Sequence, residues 1–412
     1  MLPVYFISMI VFTIGEICET LERQPYLTRR ISASHRGRFS SCYTVFAGAF
    51  QLSGQQIVGH MADATSMQVV WMFIVAIGVM NVLGLFLLRQ RDKKAFFYFT
   101  NKKGIDMVSE ELLKDALAYG KAFIKNGQTA QYIPELKNVN KYYLGICVIT
   151  QDGKIFEEGD VNIPFTIQSI SKLVSLILAI RDCGADYLFH DKVGVEPTGD
   201  PFNSIVKLET KTRPFNPFIN AGAITIASCI KGKDSDEKFE RFLSFIRKLC
   251  NNQEIDLNQA VYESEKQTGD RNRALAYYLK ASGILEGDVS ECLDFYFKMC
   301  SVNVTAHDIA RMSLVLACQG IDPQSGEILI EPQNAKAIRA LMLTCGMYDG
   351  SGEFAMSVGF PAKSGVGGGI AVPLVDRMGI GVFGPSLDEK GNSVGGVKML
   401  EYLSKKLNCT LF

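Results

Sequence analysis

The hydrophobic positions of this chain follow one pattern up to about residue 92 and another from about residue 104. Residues 69–88 form an apolar run broken only by Asn81, of about the 20 residues that a bilayer core requires. Residues 2–17 repeat the pattern with one acid, Glu16, and residues 42–61 repeat it with Gln51, Gln55 and Gln56. Together they predict about three N-terminal transmembrane helices, the glutamines turned toward other helices or a wet cavity because amides are costly against lipid. From residue 104 the period shortens to that of a folded α/β domain. Residues 110–125 place Leu112, Leu113, Ala116, Leu117, Ala122 and Phe123 on or near one helical face. Alternation over 142–150 and 154–158 around Gln151-Asp152-Gly153 predicts a hairpin, since Asp-Gly between apolar stretches favours a tight turn. Helices are expected at 169–183, 221–230, 236–250 and 271–282, then strands at 357–365, 369–375 and 378–383. Strands at both ends with helices between predict one sheet closed by both ends of the domain.

Basic residues orient the first part. Arg23, Arg29, Arg30, Arg36 and Arg38 lie between the first two spans, and Arg89, Arg91, Lys93 and Lys94 follow the last, whereas residues 62–66 carry none. By the positive-inside rule the Arg-rich loop and everything after residue 88 are expected in the cytoplasm, with Met1 outside. No basic n-region and small-residue cleavage site precedes the spans, so a cleavable signal peptide fits poorly. Residues 93–103, with Phe96, Phe97, Tyr98 and Phe99, read as a linker. Gly15-Glu16, Pro25 and Ser34-His35-Arg36-Gly37-Arg38-Phe39 make residues 1–92 resemble the last three spans of a major facilitator transporter. A half-transporter of that kind has about six spans. The segment is therefore expected to anchor the chain, or to belong to a longer transporter fusion, without transporting anything itself.

Composition narrows the chemistry. In 412 residues, 43 lysines and arginines balance 43 aspartates and glutamates, so no global field favours nucleic acid. Hydrophobic residues make up 47%, enough for a large core. Eleven cysteines without a C-x-x-C pair imply reduced thiols. His35, His60, His190 and His307 show no metal-ligand spacing, so neither a metal nor another cofactor is expected.

One motif carries chemistry. Ser169 and Lys172 lie three residues apart at the head of the apolar stretch 173–180, about one helical turn, so they share a face. S-x-x-K also arises by chance in helices, but Lys172 stands between Ile170 and an apolar run, which predicts a buried stem. A neutral lysine there can take the proton of a serine hydroxyl. Lys363-Ser364-Gly365-Val366-Gly367-Gly368-Gly369 supplies a second lysine and a backbone able to approach a substrate closely. The pattern points to acyl transfer through a nucleophilic serine.

An ordered series of strings then makes residues 104–412 resemble the serine-dependent glutaminases, within the wider fold of serine β-lactamases and penicillin-binding enzymes. The strings are 131–136 (QYIPEL), 164–172 (PFTIQSISK), 193–204 (VGVEPTGDPFNS), 216–224 (NPFINAGAI), Glu265 with 269–272 (GDRN), 294–297 (DFYF), 344–349 (TCGMYD), 361–369 and 391–393 (GNS). The resemblance implies hydrolysis of the linear amide of L-glutamine through a γ-glutamyl ester of Ser169, and self-association into a homo-oligomer. It implies Lys172 as general base, its pKa lowered by burial and by a neighbouring cation such as Lys363. Tyr132 and Tyr348 match the family's active-site tyrosines, and the amides of Ser169 and Val366 match its oxyanion hole. Gln168, Ser169, Asn220, Glu265, Asn272, Tyr296, Tyr348 and Val366 match its substrate contacts, with Glu265 facing the α-ammonium. Read without the resemblance, Asn220 is equally a helix cap, Tyr296 a core residue, and Asp349 with Lys363 an ordinary ion pair.

Two rival readings remain at this level. A penicillin-interacting enzyme shares the S-x-x-K and K-[ST]-G elements, but no S-D-N element stands between them and the charge rule places the domain inside. A regulatory module that binds glutamine without turnover has no need of Ser169, Lys172, Tyr132 and Tyr348 together.

Overall fold

In the computed structural model the chain divides into two compact units, Met1–Phe99 and Thr100–Phe412. The structure describes residues 56, 59–70, 72, 76, 80, 83, 108–204 and 213–411. In the first unit, helix runs through residues 59–64 and resumes at 67–70, and the Thr65 hydroxyl donates to Met61 O at 2.7 Å. The apolar stretch 2–17, most of 42–61 and 69–88, and the linker 93–103 lie outside the described residues. Among the described residues no helix is long and apolar enough to cross a membrane.

The second unit is built on a five-stranded antiparallel sheet in the order β2-β1-β7-β6-β5. Its strands are β1 (Gly145–Thr150), β2 (Ile155–Gly159), β5 (Lys363–Ser364), β6 (Gly369–Leu374) and β7 (Met378–Phe383); β3 (Phe165–Thr166) and β4 (Asn303–Val304) form a separate antiparallel pair. The hairpin expected around Asp152-Gly153 forms β1 and β2, with Gly153 at φ +85, a backbone that glycine adopts without a Cβ penalty. The first hairpin therefore joins strands from the far end of the chain, as the strand pattern implied. The expected strand over 357–365 is mostly something else: a short helix, Ser351–Ser357, ends there, and only Lys363–Ser364 pairs.

Helices cover the sheet on both sides. In chain order they are α1 (Glu110–Lys121), α2 (Ser171–Cys183), α3 (Asn220–Cys229), α4 (Ser235–Cys250), α5 (Gln259–Thr268), α6 (Asp270–Ala281), α7 (Val289–Cys300), α8 (Ala306–Ala317), α9 (Pro332–Cys345) and α10 (Val394–Leu407). Strand alternation sorts the core. Ile146 and Val148 of β1 join Ile380 and Val382 of β7 under Leu113 and Leu117 of α1 and Met399, Leu400 and Leu403 of α10. Cys147 and Ile149 face the other way, into the larger core shared with α8 and the helical subdomain. On that face a Cβ at Gly381 would stand 2.0 Å from Ala306 O, and one at Gly379 2.2 Å from Ala310 O, so two glycines of β7 let α8 lie directly on the sheet backbone.

Helix α2 is buried from Ser171 through Ile180, so the apolar stretch read from the sequence is a helix with no solvent face. α3 and α4 pack against it, α7 reaches the turn just ahead of it, and its first turn carries Lys172.

Candidate active site

Ser169 does not begin α2. It sits in a single 3-10 turn, Gln168–Ile170, that leads into α2 at Ser171. Gln168, immediately before it, has φ +49, a left-handed backbone that costs a non-glycine residue of order 1 kcal/mol and is retained where the surroundings over-determine it. The surroundings here are the glycine-rich segment after β5. A Cβ at Gly365 would meet Ile167 O at 2.7 Å and Ser169 N at 3.3 Å, and one at Gly367 would meet Thr166 O at 2.2 Å. The bare glycine backbone thus lies against the turn that presents Ser169. Tyr348, the second non-glycine residue of this neighbourhood with a left-handed backbone, has φ +56.

Lys172 is 1% exposed, as its apolar flanks predicted. Its Nζ donates to Phe218 O at 3.0 Å and to Asn220 Oδ1 at 2.8 Å. Burial lowers its pKa to about 8, against the opposing influence of Cys300 and Glu265. The sequence reading assigned part of that shift to Lys363, and the structure apportions it differently. Repulsion between the two amines tells on Lys363, which burial and Lys172 together hold well below the usual lysine range. The Lys363 amine donates to Gly346 O at 3.0 Å and Ser364 O at 2.5 Å and stands 4.4 Å from the centre of the Tyr348 ring. Among the described ion pairs none joins it to Asp349, so the ordinary-pair reading of those two fails.

The Tyr348 hydroxyl donates to Ser364 O at 3.3 Å and lies near enough to the Ser169 hydroxyl and the Val366 N–H for both to favour its ionised form. Burial pushes the Tyr348 phenol up, these neighbours opposing it. Phe202 packs on its ring at 4.7 Å. Tyr348 and Val366 share a small apolar cluster with Ala130, Ile133 and Leu136, which ties the segment bearing Tyr132 to this wall. Tyr132 itself is 56% exposed. Its phenol is nonetheless pushed up by loss of water around the hydroxyl and by the nearby Tyr348 and Glu265.

Four of the remaining candidates form two hydrogen-bonded pairs. Gln168 Nε2 donates to Glu265 Oε1 at 2.6 Å, and Asn220 Nδ2 donates to Asn272 Oδ1 at 3.0 Å. Asn220 is the first residue of α3, preceded by Ile219, and makes no capping bond. Its amide faces Lys172 and Asn272 instead, which removes the cap reading. Glu265 is 8% exposed, and burial raises its carboxyl to about 7 against the pull of Gln168 and Lys172. Tyr296 is 3% exposed, so it is a core residue by burial, yet its phenol is close enough to Glu265, Tyr132 and Tyr348 to feel their charge.

Two contributors were not legible from the sequence. The Phe218 carbonyl is a backbone group, which no side-chain motif announces. Cys300 is buried beside Ser171 at 3.8 Å and within electrostatic reach of Lys172, Glu265 and Tyr296, with its thiol pushed up to about 12 by burial; a lone cysteine in an apolar helix gives no warning of that.

The sequence model of the glutaminase family matches residues 127–412. A glutaminase of Clostridium botulinum (strain Hall) is 54% identical over 303 residues, 73% of this chain and 99% of that protein. Among solved structures, a probable glutaminase from Bacillus subtilis complexed with 6-diazo-5-oxo-L-norleucine is 43% identical with a TM-score of 0.68, covering 74% of this chain and 97% of that one. A covalent complex of a Bacillus subtilis glutaminase with 5-oxo-L-norleucine, formed by reaction with the same diazo compound, is 43% identical with a TM-score of 0.66, covering 73% of this chain and 98% of that one.

Proposed function

The chain belongs to the glutaminase family and hydrolyses L-glutamine to L-glutamate and ammonia, and we propose that it does so through a γ-glutamyl ester of Ser169. The observation that carries this proposal is the Lys172 amine. A neutral amine has two hydrogens and one lone pair. Phe218 O and Asn220 Oδ1 offer two acceptors, which leaves the lone pair for a proton, and a pKa near 8 leaves about a tenth of the amine neutral at pH 7. The phenols and the Cys300 thiol do not compete for this role, because they are shifted upward, away from proton exchange near neutrality.

In the first half-reaction Ser169 Oγ bonds to the side-chain amide carbon as its proton passes to Lys172. The C–N bond then breaks and the amide nitrogen leaves as ammonia with a returned proton. Tyr348, beside the Ser169 hydroxyl, relays that proton, and Tyr132 assists from the exposed side of the site. Water next attacks the ester with Lys172 again as base, releasing glutamate and restoring Ser169. The Ser169 and Val366 amides stabilise the oxyanion. Glu265 takes the α-ammonium, while Asn220, Asn272, Tyr296 and Gln168 surround the α-carboxylate. The covalent adduct described for the Bacillus subtilis relative supports a nucleophilic route.

We also infer that residues 1–92 are a transporter-like membrane anchor, on the strength of the apolar run 69–88 and its basic flank, that the glutaminase unit after the 93–103 linker faces the cytoplasm, and that this unit self-associates. The test of the chemistry is ammonia release by the full chain beside Ser169→Ala and Lys172→Ala, with mass spectrometry after treatment with 6-diazo-5-oxo-L-norleucine. Loss of turnover in both variants and a label on the peptide bearing Ser169 are expected. Turnover that survives Ser169→Ala, or a label elsewhere, overturns the mechanism. Extraction of the full chain by carbonate wash alone would overturn the anchor.

A further inference from the structure

A second cluster of reactive groups lies on elements that carry none of the hydrolytic residues. Cys147 of β1 and Glu157 of β2 are register partners across the hairpin, and cross-strand partners project to the same face of a sheet. His307, in the first turn of α8, covers that face. The three ligand atoms lie within 4.8 Å of one another, with Cys147 Sγ 3.9 Å and Glu157 Oε1 2.6 Å from His307 Nδ1. Among the described residues this is the one place where three potential metal ligands converge.

The geometry excludes a nucleophilic triad. In a triad the acid and the thiol hold opposite nitrogens of the imidazole, whereas here both address Nδ1. Burial and the carboxylates of Glu157 and Asp308 also keep the Cys147 thiol protonated well above its ordinary range, the reverse of what an activated cysteine requires.

We propose that Cys147, His307 and Glu157 form a binding site for a borderline-soft divalent cation of the zinc class, separate from the hydrolytic centre. A soft thiolate, an imidazole and a carboxylate converging from three elements match the donor preferences of that class. Bond lengths of about 2.3 Å to sulfur and about 2.0–2.1 Å to nitrogen and oxygen in a tetrahedron separate S and N by roughly 3.6 Å and N and O by roughly 3.4 Å. The Sγ–Nδ1 separation of 3.9 Å is within a few tenths of that value. The 2.6 Å Glu157–His307 contact is a hydrogen bond and must open, which the partly exposed Glu157 side chain can do by rotating. Glu157 and His307 are 33% and 38% exposed, so an ion enters from solvent past them while Cys147 forms the buried base, and a water completes the shell. Binding releases the Cys147 proton to solvent, so affinity rises with pH.

The experiment titrates the reduced full chain with Co2+ as an optical stand-in, then displaces it with Zn2+. The expected result is about one Co2+ per chain with a thiolate-to-cobalt charge-transfer band, displaced by zinc in keeping with the usual order of affinities. Cys147→Ser removes the band, and His307→Ala and Glu157→Gln each weaken binding by about 10–100-fold. The two exposed positions decide the matter if the buried serine variant fails to fold. Zinc also raises the melting temperature of the parent more than that of His307→Ala. Absence of the band in the parent, or a band and affinity unchanged in His307→Ala and Glu157→Gln, overturns the proposal.

Discussion

Glu265→Gln tests the electrostatic part of the proposed substrate selection. The carboxylate is 8% exposed, accepts one hydrogen bond from Gln168 at 2.6 Å and has burial raising its pKa to about 7. An amide oxygen in its place still accepts from Gln168, so the local fold is kept while the charge is lost. A charge-assisted bond to a buried ammonium contributes about 1.5–3 kcal/mol, and kcat/KM for glutamine should fall by about 10–100-fold. Glutaramate, which is glutamine without its α-amine, has no ammonium to lose, so its turnover should change little. The wild-type advantage on glutamine should itself grow about tenfold between pH 6 and pH 8, as the fraction of ionised Glu265 rises through its pKa. Glu265 is also one of two groups that hold the Lys172 pKa up, so the acid limb of kcat should move to lower pH in the variant. The assay is ammonia release at several pH values with both substrates. An equal fold-loss on glutamine and glutaramate would refute the assignment of Glu265 to the ammonium.

Three further outcomes follow from the same geometry. Gly365→Ala places a Cβ 2.7 Å from Ile167 O, so the turn bearing Ser169 must shift; kcat should drop by about tenfold or more, while circular dichroism shows the fold retained. Tyr348→Phe deletes the hydroxyl beside Ser169, and kcat should fall about 100-fold or more with KM little changed, as read by steady-state kinetics. Asp294→Asn should cost about 1–3 kcal/mol in denaturant unfolding at pH 7. Burial alone would raise the Asp294 carboxyl, but bonds from Lys266, Lys298, Tyr262 and Ser235 outweigh it and hold it well below its usual range. A depressed folded pKa stabilises above the unfolded value near 4 and loses that contribution as pH falls through the folded one, so the gap between wild type and variant should close in acid.

Much of this was legible in the sequence because the relevant signals are local. The Asp-Gly turn, the apolar run of α2 broken only by Ser175, and the glycine string after Lys363 each declare their backbone through residues that few other conformations favour. What escaped was set by contacts distant in sequence. The stretch 357–365 reads as apolar strand, but its first residue ends a helix, and pairing is limited to the two residues that reach β6. Asn220 precedes Ala-Gly-Ala as a cap would, yet the buried Lys172 amine and Asn272 offer its amide stronger partners than the helix end does. The mutual influence of Lys172 and Lys363 was expected at the wrong amine, because the sequence shows their likeness and not their different company. His307 carries no metal spacing in the chain, since its neighbours Cys147 and Glu157 come to it through a strand pairing.

The joining of β1 to β7 has a consequence for how the enzyme comes into being on the ribosome. Ser169 and Lys172 are translated early, but Val366 and the glycines that hold the Ser169 turn come far later, and β1 has no neighbour on that side until β7 follows. At about 5–20 residues per second the interval is on the order of ten seconds. Throughout it the nascent chain holds the proposed nucleophile and base without the glycine backbone that packs on their turn, together with an unpaired edge on β1. A chain that stalls or is cut before β7 is thus expected to be inert toward glutamine and to expose an unpaired strand edge. Hydrolytic competence arrives only with completed synthesis, a safeguard written into strand order.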